Sequence, residues 1–415
     1  MHITRTFHPI GQGGFFTETH EFSADEKFTI VYDCGVAQNR KRANSVVRHP
    51  DLKDMDIDIL FISHFDYDHV CKLAVLLEHV GHIKNVVMPL LHDEEKILLT
   101  NLFRLSGFNI LRLINNPSRL FGNTTKIFRV AGIDNENVVN GAADELPVSL
   151  DTLSPAIPLR SGIRIGIPFN SAQPGHDWIF TPYNHESSAH RQLLDTELSA
   201  QGFNVHKLRT DPKYTLDKAI KKRRELKRIY NMLPGGINLN SMLVYSGPEF
   251  NHSKLRLRSS VQHSFEIFCQ HSLACPVNTY CHPDVLWPDC FHTFISPSNI
   301  YFCCCVYEDE FRGIFNAPGC VYTGDTDLNT LDVHDVFKNV WKHVGTLQIP
   351  HHGAAPCFAS AVLDYQKTIC PIAVGSHFHK TYGHPAISVI NTIIQKGCIP
   401  VFVTENNTAF VQTIN

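Results

Sequence analysis

Four residues of metal-ligand type fall within six consecutive positions of the segment Ile62-Ser63-His64-Phe65-Asp66-Tyr67-Asp68-His69, directly after the apolar run Ile57-Asp58-Ile59-Leu60-Phe61-Ile62. A buried strand that stops at a turn can aim alternate side chains at one point. His64 and Asp66 share a parity, and Asp68 and His69 reach the same point once the chain turns into a helix. Imidazole suits zinc and other transition metals, whereas added carboxylates make a site more tolerant of manganese or magnesium. The loop is therefore read as holding one or two divalent ions. A chance cluster is the alternative in a chain with 25 histidines, but four such residues packed against a strand end form a pattern with a mechanism behind it.

Three later segments repeat the form of a strand that ends in ligand-type residues. Thr323-Gly324-Asp325-Thr326-Asp327 offers Asp325 as a carboxylate able to bridge two ions, with Gly324 permitting close backbone approach. Taken alone, it would read as an ordinary Asp-containing turn. Leu347-Gln348-Ile349-Pro350-His351-His352-Gly353 ends in adjacent histidines whose side chains should diverge, so that one coordinates and the other donates a hydrogen bond or proton to substrate. Tyr382-Gly383-His384-Pro385 opens the last long helix, Pro385 suiting a first helical position. All of these follow expected strands, so they should gather along one edge of the sheets, where open α/β architectures place their sites. The expected metal ligands are His64, Asp66, Asp68, His69, Asp325, His351, His352 and His384. Asp68, His352 and His384 are the expected catalytic groups, the first orienting water and the histidines protonating a leaving oxygen.

The elements that must position these residues are legible as short β-branched or apolar runs. Phe28 to Asp33 is closed by Asp33-Cys34-Gly35, and the turn Gly11-Gln12-Gly13-Gly14 precedes Phe15-Phe16. Further strands are expected at Asn85 to Met88, Trp178 to Thr181, Ser241 to Tyr245, Cys320 to Thr323, Thr346 to Ile349, Ile372 to Gly375 and Val401 to Val403. Helices are expected from Val70 to His79 and from Ala386 to Gln395. Strands alternating with helices in both halves indicate a layered α/β architecture. The aromatics Trp178, Tyr183 and Tyr245 sit in apolar strands, where core packing outweighs base stacking as a reading.

With 415 residues and 43% hydrophobic content the chain can bury a large core, as one α/β domain with insertions spanning 1–415. A formal charge of −3 announces no global basic field for nucleic acid. The absence of a long apolar stretch or signal-like start points to a cytoplasmic protein with no membrane partner. Thirteen dispersed cysteines fit reduced thiols better than a disulfide framework.

Two segments depart from the α/β rhythm. The first, read as a basic helical insertion over 186–235, holds Lys221-Lys222-Arg223-Arg224-Glu225-Leu226-Lys227-Arg228, six cations against one acid. A solvated helix face is the plainer reading, and a phosphate-contacting surface is the functional one. The second, a Cys/His-rich insertion over 248–316, crowds Cys269, Cys275, Cys281, Cys290, His271, His282 and His292 without a C-x-x-C pair. Ordinary thiols are favoured there over structural zinc.

The order His64-x-Asp66-x-Asp68-His69, Thr323-Gly324-Asp325, His351-His352-Gly353, Tyr382-Gly383-His384-Pro385 resembles the metallo-β-lactamase superfamily, and within it the competence-related DNA-uptake hydrolases. Gly11-Gln12-Gly13, Asp33-Cys34-Gly35 and Asn240-Ser241 before Met242-Leu243-Val244 look like further pieces of that subgroup's pattern. The resemblance implies an α/β fold, the four-layer αββα metallo-β-lactamase sandwich with inserted segments, with a dinuclear site along one edge. It also implies two divalent ions, Zn2+ or Mn2+, that ionise a water molecule between them. Two departures stand out. The superfamily loop commonly has His where this chain has Asp66, and the usual third-motif histidine has only His176, His185 and His206 as candidates. His377 or His379 would replace a further expected ligand. Fewer imidazoles favour manganese.

The expected function is that of a metal-dependent phosphodiesterase or nuclease with a nucleic-acid or nucleotide substrate. By analogy of fold it would act in nucleic-acid processing or antiviral defence, with an operon-encoded protein as a possible partner. The alternatives are a small-molecule ester, amide or thioester hydrolase and a non-catalytic metal-binding effector module.

Overall fold

The structure is a computed structural model that describes residues 2–37, 40–107, 110–133, 146–167, 178–216, 222–232, 240–249, 257–259, 291–296, 299–304, 317–375, 383–405 and 409–415. Two large sheets dominate it. The first runs, in spatial order, β11 (Leu257–Ser259), β18 (Phe410–Ile414), β1 (His2–Phe7), β2 (Phe16–Glu21), β3 (Lys27–Tyr32), β4 (Ile57–Phe61), β5 (Ile83–Pro89) and β6 (Lys126–Val130). The second runs β17 (Ile399–Val403), β16 (Ile369–Ala373), β15 (Val344–Leu347), β14 (Gly319–Tyr322), β10 (Asn240–Pro248), β9 (Trp178–Glu186) and β7 (Gly132–Ile133), with β8 (Ile165–Gly166) paired to β9. A separate hairpin joins β12 (Phe291–Ser296) and β13 (Asn299–Cys304).

Each sheet has a parallel half and an antiparallel half. β3 through β6 pair in parallel in the first sheet, and β14 through β17 in the second. Parallel strands connected by crossovers are covered on both faces, which explains why the runs Ile57–Phe61 and Ile369–Ala373 are buried at every position. Alternate side chains of the two sheets interlock in an inner core that includes Ile30, Tyr32, Phe61, Phe180, Met242 and Tyr322. Outside the first sheet, Val31, Leu60 and Val86 pack against helices such as Asp93–Ser106. Outside the second, Leu243, Val321 and Leu347 pack against the helix Ile387–Gln395 and short helical turns. The order is helix, sheet, sheet, helix, the αββα sandwich expected from the resemblance.

The helices of residues 188–232 belong to the outer layer of the first sheet, because Leu194, Leu198, Leu208, Leu226 and Ile229 join the same core as Leu98, Leu102 and Leu105 of Asp93–Ser106. The helix expected from Val70 to His79 is broken into Tyr67–Val70 and Leu73–Leu77. The break has a local cause: the Lys72 N–H leaves the helical ladder to donate to Cys34 O at 2.9 Å, tying the turn to the end of β3. Trp178, Tyr183 and Tyr245 are buried, as core residues should be. Cys34, Cys71, Cys320, Cys357, Cys370 and Cys398 carry free thiols. Most of the Cys/His-rich stretch, including Cys269, His271, Cys275, Cys281, His282 and Cys290, lies outside the described residues, as does the side chain of His292. No helix among the described residues is long and apolar enough to cross a membrane.

Candidate metal centre

The carboxyl ends of the parallel strands in both sheets meet at one edge, and the ligand-type residues lie there. β3 delivers Asp33, a buried residue in the left-handed region at φ 57. Its carboxylate accepts the Ser63 N–H at 2.7 Å and the Ser63 hydroxyl at 2.6 Å. It also accepts the Nδ1–H of His69 at 2.8 Å. One side chain thereby fixes both ends of the loop after β4. The approach is so close that a Cβ on Gly35 would sit 2.4 Å from Asp68 O, so the glycine of Asp33-Cys34-Gly35 is required by contact with the metal loop.

The hydrogen bonds set three imidazole tautomers in the same sense. Ser63 Oγ gives its proton to Asp33, so at 2.7 Å it can only accept from His64 Nδ1–H. His69 Nδ1–H is directed to Asp33, and His352 Nδ1–H donates to Ala373 O at 2.8 Å. His64, His69 and His352 therefore all turn Nε2 toward the strand-end cleft, the arrangement by which outer partners orient metal-binding histidines.

The donors gather in two groups that share His69. In His64, His69 and Asp325, and again in Asp68, His69 and His352, one ligand atom from each residue lies within 4.8 Å of the others. His69 Nε2 is 3.3 Å from Asp325 Oδ1, His64 Nε2 is 3.7 Å from Asp325 Oδ2, and His352 Nε2 is 3.4 Å from Asp68 Oδ2. His64 Nε2, His69 Nε2, Asp325 Oδ1 and His351 Nδ1 are buried without a hydrogen-bond partner. The His352–Asp68 contact is a hydrogen bond, but these four atoms approach opposing groups without making one and so are arranged around common points. Buried orphans of this kind require a missing partner, and a divalent ion bound by imidazole and carboxylate fits the donor set.

Both adjacent histidines reach the cluster, because His351 and His352 both adopt left-handed backbone angles, φ 47 and φ 55, that depart from simple alternation. His351 Nδ1 lies 3.1 Å from Asp325 Oδ2 while His352 faces Asp68. His384 stands beside them, its ring centroid 5.8 Å from that of His351. Asp66 is buried at the start of the helix Tyr67–Val70. His185 is bonded through Nε2 to Thr330 Oγ1 at 3.0 Å, and His206 is exposed on the helix Val205–Thr210. His176, His377, His379 and Tyr382 lie outside the described residues.

The electrostatics oppose charges where ions would lie. Burial disfavours charge on His69, yet Asp325 and Asp33 carry its pKa well above the ordinary value. Burial likewise opposes ionisation of Asp325, but His69 and His351 hold its carboxyl well below the usual range. His351 is raised against its burial, chiefly by Asp325. For Asp68, burial is outweighed by the His352 hydrogen bond and by the charges of His69 and His352, so its pKa falls. His64 and His384 are each pushed down to about 4, by burial first and by neighbouring histidines second.

Asp33 and Ser63 were not among the ligand-type residues singled out from the sequence. The available signal was an Asp placed directly after a strand and followed by Cys34-Gly35, which marks a strand end but not a bond to His69.

Residues 22–148 match the metallo-beta-lactamase superfamily, a stretch that carries Asp33 and the whole His64–His69 loop. No curated relative matches the chain. Asp325, His351, His352 and His384 lie beyond the matched stretch and are joined to it by geometry alone. The match, the sandwich and the donor groups agree on a class, a metallo-β-lactamase-type fold bearing the metal-binding centre of a metal-dependent hydrolase.

Proposed function

We propose that the chain is a phosphodiesterase or nuclease that uses two divalent ions, Zn2+ or Mn2+, at the centre shared by the two sheets. The observation that carries the reading is the pair of neighbouring donor groups, His64 with Asp325 and Asp68 with His352, between which His69 has one Nε2 lone pair to give to one ion, since two ions side by side suit in-line displacement at phosphorus. Ions bound there would lower the pKa of coordinated water toward about 7 and neutralise charge on the transferring group.

The protein's own groups take distinct parts. Asp33 and Ser63 hold His64 and His69 in one tautomer. Asp68, facing His352 at 3.4 Å, orients the attacking water while His352 keeps Nε2 toward the same group. His351, with its side chain 19% exposed, is the more open of the pair and keeps Nδ1 beside Asp325. His384, neutral beside it, accepts or relays a proton.

The basic helix supplies the preference for a nucleic-acid or nucleotide substrate, but not through every cation. Lys222 Nζ donates to Gln201 O and Gly202 O at 3.0 and 2.6 Å and lies 4.5 Å from the Phe203 ring centroid. It caps the C-terminal end of the helix Ser188–Ala200, so its part is structural. Arg224 and Arg228 are exposed on Arg223–Met232, and the proposal assigns phosphate contact to these two. Lys221 and the side chains of Arg223 and Lys227 lie outside the described residues. A place in nucleic-acid processing or antiviral defence, in the cytoplasm and with an operon-encoded partner, is part of the same proposal and rests on fold analogy.

Elemental analysis of the purified protein, beside a panel of single-stranded, double-stranded and cyclic nucleotide substrates with Mn2+ or Zn2+, tests the reading. Cleavage that disappears in Asp68→Ala and Asp325→Ala proteins that remain folded supports it. Turnover of a chromogenic ester with every phosphodiester left intact overturns it in favour of a small-molecule hydrolase. Tight ion binding without turnover would instead indicate a metal-binding effector module.

A further inference from the structure

The turn that delivers Asp325 is held by a side chain from the neighbouring strand. β14 and β15 run parallel, and the ladder between them ends where the Gln348 N–H donates to Val321 O at 3.0 Å. Beyond that point Gly324, at φ +54, turns the chain out of the sheet. The N–H groups of Thr323 and Gly324 then lack the carbonyl partners that a continuing strand would give them. Both donate instead to Gln348 Oε1, at 2.9 and 3.2 Å. A carboxamide oxygen has two lone pairs and can accept both.

The other end of the same side chain addresses the acceptors. Gln348 Nε2 lies 3.4 Å from Gly324 O and 3.4 Å from Ile349 O, and Thr323 Oγ1 returns a bond to Gln348 O at 2.8 Å. Gly324 O also accepts the His351 N–H at 3.3 Å. Each of these side-chain bonds of Gln348 goes to backbone within two residues of Asp325 or His351. Gln348 is only 4% exposed, so water does not readily replace a bond lost there. The two side chains that follow the clamp meet, His351 Nδ1 standing 3.1 Å from Asp325 Oδ2.

We propose that Gln348 is a positioning residue that sets where Asp325 and His351 stand, and through them the affinity of the ion held by His64, His69 and Asp325. The inference rests on the metal-centre reading and extends it to a residue that would touch no ion. The other donor group depends on the clamp less. Asp68 follows β4 of the first sheet, and His352 is tied through Nδ1 to Ala373 O of β16 at 2.8 Å. Loss of the clamp should therefore act unequally on two ions, which a general loss of stability does not do.

Stepwise calorimetric titration of the metal-free protein with ZnCl2, beside thermal unfolding without metal, tests it. Gln348→Met keeps the length of the side chain and removes the oxygen that accepts from Thr323 and Gly324. It is expected to weaken one binding step about 10–100-fold, as loss of an outer partner does, and to change the other far less. Gln348→Glu keeps an oxygen for the two N–H groups and should recover most of the affinity in the weakened step. Thr323→Val removes only the hydroxyl bond to Gln348 O; it should weaken the same step in smaller measure, and it carries the test should the Gln348→Met protein not fold. Asn101 is a control for stability alone, since it is buried in the outer helical layer and donates to Leu208 O and Asp211 O at 3.0 and 2.8 Å. Asn101→Leu should lower the unfolding temperature with both binding steps unchanged. In folded Gln348→Met or Thr323→Val protein, parent affinity at both steps, or equal weakening of both, overturns the inference and leaves the metal centre standing. A parent protein that takes up no zinc overturns both.

Discussion

Replacing Asp33 by Asn tests the logic of the centre most directly, because it keeps the shape of the side chain and turns one acceptor into a donor. The carboxylate accepts three hydrogen bonds, at 2.7 and 2.6 Å from Ser63 and at 2.8 Å from His69 Nδ1. An amide can still accept from the Ser63 N–H through its oxygen, but its NH2 group then meets the Nδ1–H of His69, donor against donor. His69 escapes by moving its proton to Nε2, the atom that lies 3.3 Å from Asp325 Oδ1 on the one residue common to the two donor groups. A protonated Nε2 cannot bind a metal. Loss of such an outer partner typically weakens ion binding about 10–100-fold, which is about 1.4–2.8 kcal/mol at 1.4 kcal/mol per tenfold. Stability of the ion-free protein should also drop by about 1.5–3 kcal/mol, the range for one hydrogen bond to a charged group. Competition with a chromogenic chelator gives the affinity, thermal unfolding gives the stability, and 15N chemical shifts of the histidine rings report the tautomer. A folded Asp33→Asn protein with parent affinity and an unchanged His69 tautomer would refute the reasoning.

Ion uptake should release protons near pH 7. His69 and His351 have folded pKa values raised above the ordinary 6.5, and each must give up a proton before it can act as a ligand. Calorimetry in buffers of different ionisation enthalpy should therefore show about one to two protons released per protein and an affinity that rises with pH; no release would contradict it. For the ion-free protein, the contribution of His69 is complete below its unfolded pKa and is lost as pH rises through the raised folded value. That of Asp325 is present above its unfolded pKa and lost as pH falls through its depressed folded value, so thermal stability without metal should decline on both sides of a window between these limits. Away from the site, Arg5 Nε and Glu18 Oε1 meet at 2.6 Å with both side chains fully buried, and Glu18 also accepts from Ser246 and Tyr322. Glu18→Gln leaves Arg5 uncompensated and should destabilise by about 3–5 kcal/mol in denaturant unfolding, with a loss under 1 kcal/mol speaking against the network. Arg224→Glu with Arg228→Glu should raise KM for a nucleic-acid substrate and flatten its salt dependence, and an unchanged slope would remove that helix from the substrate path.

The sequence made the sandwich readable because its signals are local. A run such as Ile57–Phe61 is too apolar for an exposed surface and too short for an ordinary helix, whereas the strand expected at Ile372 to Gly375 forms three residues earlier, at Ile369–Ala373. The loop after β4 was legible for the same reason, since its ligand types are contiguous. What escaped was decided by partners distant in the chain. Nothing near Lys72 announces that its N–H will leave a helix for Cys34 O, and nothing near Lys222 announces that its charge will cap the helix ending at Ala200. The paired entry of His351 and His352 into the cluster depends on two successive left-handed residues, a backbone choice that strand alternation does not foresee. Asp33 could be placed at a strand end but not matched to His69, because that bond exists only once β3 and β4 lie side by side.

The division of the donors between the sheets carries a consequence for the whole fold. His64, Asp68 and His69 follow β4 of the first sheet, whereas Asp325, His351 and His352 follow β14 and β15 of the second. An ion held by either donor group would therefore take ligands from both sheets and bridge the interface between them. Away from this edge the interface is held by nondirectional apolar packing such as that of Tyr32, Phe61, Met242 and Tyr322. At the edge, opposed charges stand in the ions' place, and the His69 and Asp325 atoms that approach at 3.3 Å do so without a hydrogen bond. An ion would convert that imperfect contact into directional bonds across the interface, and at a free concentration of about 100 times Kd the linkage stabilises the fold by about 2.7 kcal/mol. Binding of the metal and the relative setting of the two sheets are then one equilibrium. A change that shifts β10 or β14 by a fraction of an ångström should be felt first in ion affinity, before it is felt in the core.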